Sequence, residues 1–238
     1  LSKIASELAK AGQTQQALQI FDKAFSVAGS ISSNSSKAWA LKNIASELAK
    51  AGQFDKALNV AWFIYDNDDK AWALSSIAKE LAKAGQFNKA LTVAGSISDD
   101  LYKAWALSDI ALELAKAGQL DKAVSVAGSI SDDSKKAWAL IDIVVELAKA
   151  GQFDDALNVA GSIYGDYSKA QALRDIASEL AKVGQFSKAL TVAGSISSDY
   201  YKAEALSSIA SELAKAGQTQ QALQIFDKAL NVAGSISD

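Results

Sequence analysis

The stretch "DDKAWALSSIAKELAKAGQFNKAL", residues 68–91, decides the fold. Leu74, Ile77, Ala78 and Leu81 recur at helical spacing and form one apolar stripe. The pattern predicts a first helix from Lys70 to Ala84. Asp68 and Asp69 stand before it, where a carboxylate caps free backbone N–H groups. Lys83 lies in the last turn beside unpaired carbonyls, and Gly85 permits the left-handed residue that ends a helix. A second helix is predicted from Phe87 to Ile97, with Phe87, Ala90, Val93, Ala94 and Ile97 inward. The segment "SISDD" then returns the chain to another unit of the same kind.

That unit recurs along the whole chain. "LxxIAxELAKAGQ"-type segments start at Leu1, Leu41, Leu74, Leu107, Leu140, Leu173 and Leu206. The spacing is 33 residues from Leu41 onward and 40 before it, because the first unit carries a "TQQALQI"-like insert of seven residues. Seven residues are about two helical turns, so the insert lengthens a helix without rotating its face much. One helix pair cannot bury enough surface to offset ordering costs of roughly 1–2 kcal/mol per residue. Stacked neighbours can, so the array is the folding unit. The expected fold is all-α: one α-solenoid of seven helix-turn-helix repeats over residues 1–238, wound into a superhelix.

Composition narrows the chemistry. The 238 residues contain no Cys, His, Met or Pro, and the formal net charge is -3. Thiolate nucleophiles, imidazole bases and ordinary zinc or copper sites are therefore excluded. Lys and Asp/Glu are interspersed, which points away from nucleic acid and from a membrane surface. No apolar run approaches the ~18–20 residues of a spanning helix. The missing Met at residue 1 suggests a fragment or a processed form, and the compartment stays open with a slight lean to the cytoplasm.

The repeats resemble the tetratricopeptide repeat family over all seven units. Its pattern of W-x2-L-G-x2-Y, a Gly, and A-x3-F appears as Leu41-x2-Ile44-Ala45-x2-Leu48, Gly52 and Ala57. Ala17-x3-Phe21-x2-Ala24 and Ala222-x3-Phe226-x2-Ala229 follow it literally. The 33-residue units depart with Ala61, Ala94, Ala127, Ala160 and Ala193 where Phe is expected, a shorter second helix and no Pro. The resemblance implies a helix-turn-helix solenoid that binds peptides or proteins, with the first helices lining the groove. Lys42 and Asn43 match part of the family's carboxylate clamp, but the other clamp residues are missing, so that specificity is rejected.

The tryptophans then become the question. With Leu41 at zero and about 100° per residue, Trp39 falls on the far side of the stripe. Trp72, Trp105 and Trp138 share its position. Two readings stand: each Trp covers the end of the preceding second helix, as at Ile97 before Trp105, or it faces a guest. Under the second, the candidate partner-binding residues are Trp39, Lys42, Trp72, Lys79, Trp105, Leu112, Trp138, Ile141, Val145 and Arg174. Trp105, Leu112, Trp138, Ile141 and Val145 would form an apolar wall, where aromatic anchors carry binding energy. The expected partner is a protein or peptide segment with apolar or aromatic side chains and acidic residues.

The remaining features have plainer readings. Trp62 replaces a Gly found at 95, 128, 161 and 194. That Gly is expected to allow a close helix approach, so Trp62 and Phe63 mark a bulge or a contact site. Glu47 with Lys50 and Glu80 with Lys83 are i, i+3 pairs worth a few tenths of a kcal/mol. "DNDD" at 66–69 lacks the Gly and distal Glu of a calcium loop and reads as capping. Asn34-Ser35-Ser36 is a glycosylation sequon, relevant only to a secreted chain. Nothing predicts catalysis, a metal or a cofactor. "ELAKAGQTQQALQIFDKA" occurs at both 7–24 and 212–229. This suggests excerption from a longer array, or self-association through the array ends. A structural, self-assembling role is thus the alternative to a binding scaffold.

Overall fold

In a computed structural model, which describes residues 1–236, the described chain is helical with no strand. Its fold is all-α, an α-solenoid of helical hairpins packed in chain order. Two compact units make it up. Unit 1 comprises Leu1–Ala117 with Ser129–Ser131, and unit 2 comprises Gly118–Gly128 with Asp132–Asp238.

Unit 1 carries α1 (Ser2–Lys10), α2 (Thr14–Gly29), α3 (Asn34–Lys50), α4 (Phe54–Trp62), α5 (Asn67–Lys83), α6 (Phe87–Gly95) and α7 (Asp100–Lys116). The first helices α3, α5 and α7 lie side by side, while α4 packs on α3 and α5, and α6 on α5 and α7. Unit 2 repeats the scheme with α8 (Leu120–Gly128), α9 (Asp133–Lys149), α10 (Phe153–Gly161), α11 (Asp166–Lys182), α12 (Phe186–Gly194), α13 (Asp199–Lys215) and α14 (Thr219–Ala233). There α9, α11 and α13 form the row, α10 packs on α9 and α11, and α12 on α11 and α13. The seven-residue insert does lengthen α2, to 16 residues against 9 in α4.

The predicted stripe is the core. Leu74, Ile77, Ala78 and Leu81 are buried in α5, as are Ala90, Val93, Ala94 and Ile97 in and after α6. Alanine dominates the inner face, which lets backbones approach closely. The turn between helices is made at Gly85, whose φ is +73°. There the Gly85 N–H bonds to the Ala82 carbonyl and the Gln86 N–H to the Leu81 carbonyl, both at 2.9 Å, closing the helix end.

Three local expectations need correction. α5 begins at Asn67 rather than Lys70, because Asp66 is the cap: its carboxylate accepts from the Asp69 N–H at 2.9 Å. Asp68 and Asp69 lie inside the first turn, where their charge meets the positive end of the helix. α6 stops at Gly95, so Ile97 is buried from the connecting segment, and Phe87 is half-buried rather than inward. Gly95, Gly128, Gly161 and Gly194 serve no close approach either. A Cβ at any of them would meet nothing within 4 Å. Trp62 and Phe63 therefore fill no slot. Both are exposed at the end of α4, with the Phe63 ring edge-on to Phe25 at 5.8 Å.

Candidate binding face

In unit 1 each first helix from α3 to α7 carries one Trp at the same register. Trp39 is 63% exposed and Trp105 47%, while Trp72 between them is half-buried. In unit 2, Trp138 on α9 is 57% exposed. Side-by-side helices with equivalent registers place Trp39, Trp72 and Trp105 in a row along one side of unit 1. Ile97 is buried while Trp105 keeps about half its surface, so the ring does not serve only as a lid. Tyr102 meets Trp105 edge-on at 5.2 Å and fixes one side of it.

The other expected groove residues belong to the seams between neighbouring first helices. Lys42 of α3 pairs with Asp69 of α5, and its ammonium lies 5.3 Å from the centre of the Trp72 ring. Lys79 of α5 pairs with Asp109 of α7 at 2.8 Å. Ser46 of α3 bonds Ser76 of α5 at 2.9 Å. Leu112 and Val145, at the register of Ser46 and Lys79, are half-buried. Ile141 is a clear correction: it was expected on an open wall and is buried. Its position lies about 100° round from the opening Leu, which is where the adjacent first helix packs. Ser75, at the same register of α5, is buried as well.

Arg174 of α11 is committed inside unit 2. It meets Asp175 at 3.1 Å and Glu204 of α13 at 3.5 Å, and its guanidinium lies over the Tyr201 ring at 5.5 Å. Tyr201 is buried, contacts Tyr167 and Tyr200 edge-on, and reaches Gln171 at 3.5 Å. Burial first, then hydrogen bonding with Tyr167, pushes the Tyr201 hydroxyl up to about 12. Burial also holds the Asp175 carboxyl above the usual aspartate range, despite the neighbouring Arg174.

Sequence reasoning missed Asp69, Asp109, Tyr201 and Glu204, the partners of these cations. The available signal was the repeat itself, since each partner lies 27 to 30 residues on, at the start or middle of the next first helix. The expected i, i+3 pairs are present, with Lys50 on Glu47 at 2.9 Å and Lys83 on Glu80 at 2.8 Å. Among the described residues no group of three or more Asp or Glu side chains is placed to hold a metal, and no helix is long and apolar enough to cross a membrane.

What this face can do is present flat aromatic surface on rigid helices. Two of its cations, Lys42 and Lys79, are already paired with acids of the neighbouring first helix.

No family model matches the chain, and no curated protein matches it in sequence. Among solved structures it is similar to that of Ton1535 from Thermococcus onnurineus NA1. The two are 21% identical, over 99% of this chain and 78% of that one, with a TM-score of 0.37. A likeness that loose links nothing about the roles of the two proteins.

Proposed function

We propose that this chain is a tetratricopeptide-like scaffold that binds a protein or peptide segment along the first-helix side of unit 1. Exposed tryptophan on consecutive rigid helices is the observation that carries the reading. A Trp costs little ordering entropy when it already stands fixed, and it supplies large apolar area to a guest. The guest is a segment with apolar or aromatic side chains spaced to meet Trp39, Trp72 and Trp105. Acidic residues drop out of its description, because Lys42 and Lys79 are paired with Asp69 and Asp109.

The test is selection of displayed random peptides on the immobilised chain, followed by titration of the enriched sequences. Trp105→Ala should weaken the selected peptides by about thirtyfold, roughly 2 kcal/mol, the cost of a lost anchor. The melting temperature should change little. Peptides that bind the wild type and the Trp39→Ala/Trp72→Ala/Trp105→Ala variant equally would overturn the assignment of this face.

A further inference from the structure

Trp72 and Trp105 stand at one register on the adjacent helices α5 and α7. Among the described residues neither indole N–H has an acceptor. No buried indole nitrogen is left unpaired, so that of the half-buried Trp72 reaches the surface, and Trp105 is open on about half its area. The polar groups of the two seams beside the rings are engaged. Asp69 holds Lys42, Asp109 holds Lys79, and the Ser46 and Ser76 hydroxyls hold each other. Each of these carboxylates faces an ammonium, so the pairs are neutral in sum. Of all these groups, the two indole N–H donors are the ones left to a guest.

Spacing narrows the guest further. Helices packed side by side stand roughly 8–10 Å apart, and a shared register gives the two rings a similar separation. A guest must therefore present side chains at that interval on one face. Polyproline II does so at every third residue, one turn of about 9.3 Å. A β-strand does not: its same-face residues repeat at about 6.7 Å, and every third residue points to the other side. An α-helix matches at every seventh residue, about 10.5 Å, but its carbonyls are spent on its own N–H groups. Polyproline II has no internal hydrogen bonds, so its carbonyls are free to accept. Its prolines bring no N–H that would need an acceptor in return.

We propose that the occupant of this face is an uncharged, proline-rich segment in the polyproline II conformation, with prolines three residues apart stacked on Trp72 and Trp105. Each indole donates to a carbonyl of the segment. Trp39, at the same register on α3, continues the row for a further turn. The balanced charge of the Lys42–Asp69 and Lys79–Asp109 pairs matches a guest with no charge of its own. The Lys42 ammonium lies against the Trp72 ring and Tyr102 against Trp105, so both rings are set before the guest arrives. This rests on the binding reading of the face and adds the chemistry of what binds there.

Titration of the full chain with a nonaproline peptide, about 28 Å long, tests it by tryptophan fluorescence and calorimetry, with a Gly-Ser peptide of equal length as control. Nonaproline should bind and the control should not. Trp72→Ala and Trp105→Ala should each weaken binding about tenfold, with circular dichroism to verify folding. Trp105→Phe keeps a flat ring without the N–H and should fall between wild type and Trp105→Ala. Trp62→Ala removes an exposed tryptophan outside the row and should change nothing. The indole N–H signals of Trp72 and Trp105 in nitrogen-15 spectra should move downfield as nonaproline binds. If nonaproline fails to bind while selected peptides without proline bind through Trp105, the proline assignment is overturned and the face stands. If nothing binds, both readings fall. Nonaproline that binds the wild type and the two Ala variants alike sits elsewhere on the molecule, and overturns the proposal too.

Discussion

The seam between α3 and α5 and the seam between α11 and α13 solve one problem in two orders. Lys42 and Arg174 share a register, 132 residues or four repeats apart, and each places a cation against the next first helix. In unit 1 that helix answers with an acid at Asp69 and an aromatic ring at Trp72. In unit 2 the equivalent positions hold the aromatic first, Tyr201, and the acid second, Glu204. The cation keeps one carboxylate and one ring in both. What changes is which group lies deep. The first order leaves Trp72 half-exposed on the outer side, whereas the second buries Tyr201 and turns Glu204 outward. The seam between α5 and α7 shows the limit: with Ser75 in place of the cation, Tyr102 and Trp105 meet each other instead. The partial exposure of Trp72 in unit 1 and the burial of Tyr201 in unit 2 thus follow from the order of two residues on one helix.

Truncating the ring is the largest test of that difference. Tyr201→Ala removes a buried aromatic and should destabilise the protein by about 3 kcal/mol. Trp72→Ala removes a half-exposed ring and should cost about half as much. Urea denaturation of both variants checks this. Equal costs would mean that burial does not distinguish the two seams.

The stripe and the turns were legible in the sequence because a helix that buries one face repeats at 3.6 residues, and Leu74, Ile77 and Leu81 do so plainly. The seams were not. A first helix in a stack touches its hairpin partner and also a first helix on each side, so an apolar residue such as Ile141 reads equally well as a groove wall or as a joint. The cations misled for a related reason. A lysine on the far side of the stripe resembles a solvated one until the next repeat is laid beside it and Asp69 falls opposite Lys42.

A smaller effect comes from exchanging the order itself. The double variant Asp69→Tyr/Trp72→Glu writes the unit 2 arrangement into unit 1. Trp72→Glu alone gives Lys42 two acids and no ring, and Asp69→Tyr alone gives it two rings and no acid. The double variant restores one of each, so its cost should fall short of the sum of the singles by about 1 kcal/mol, the range of coupled neighbours. The double-mutant cycle, by urea denaturation, reads this directly. Additive costs would show that the cation is indifferent to what faces it.

The last difference leaves stability at neutral pH untouched and appears only in alkali. Trp72 does not titrate, but its seam-mate in unit 2 does. Tyr201 ionises near 12 in the folded chain against an ordinary value of 10. Between those values the folded state holds a proton that the unfolded state has released. The contribution of Tyr201 is therefore fully present below about pH 10 and is lost as the pH rises toward about 12. Tyr200 follows in the same direction through its hydrogen bond to Glu204. Alkaline ultraviolet titration of the six tyrosines should show a late step. Tyr201→Phe should take one tyrosine out of that step, leaving Tyr200 in it, and flatten the fall in stability above pH 10. A late step whose amplitude is undiminished by Tyr201→Phe would place the buried hydroxyl elsewhere, and the cation of unit 2 would then lack the deep ring that sets it apart from Lys42.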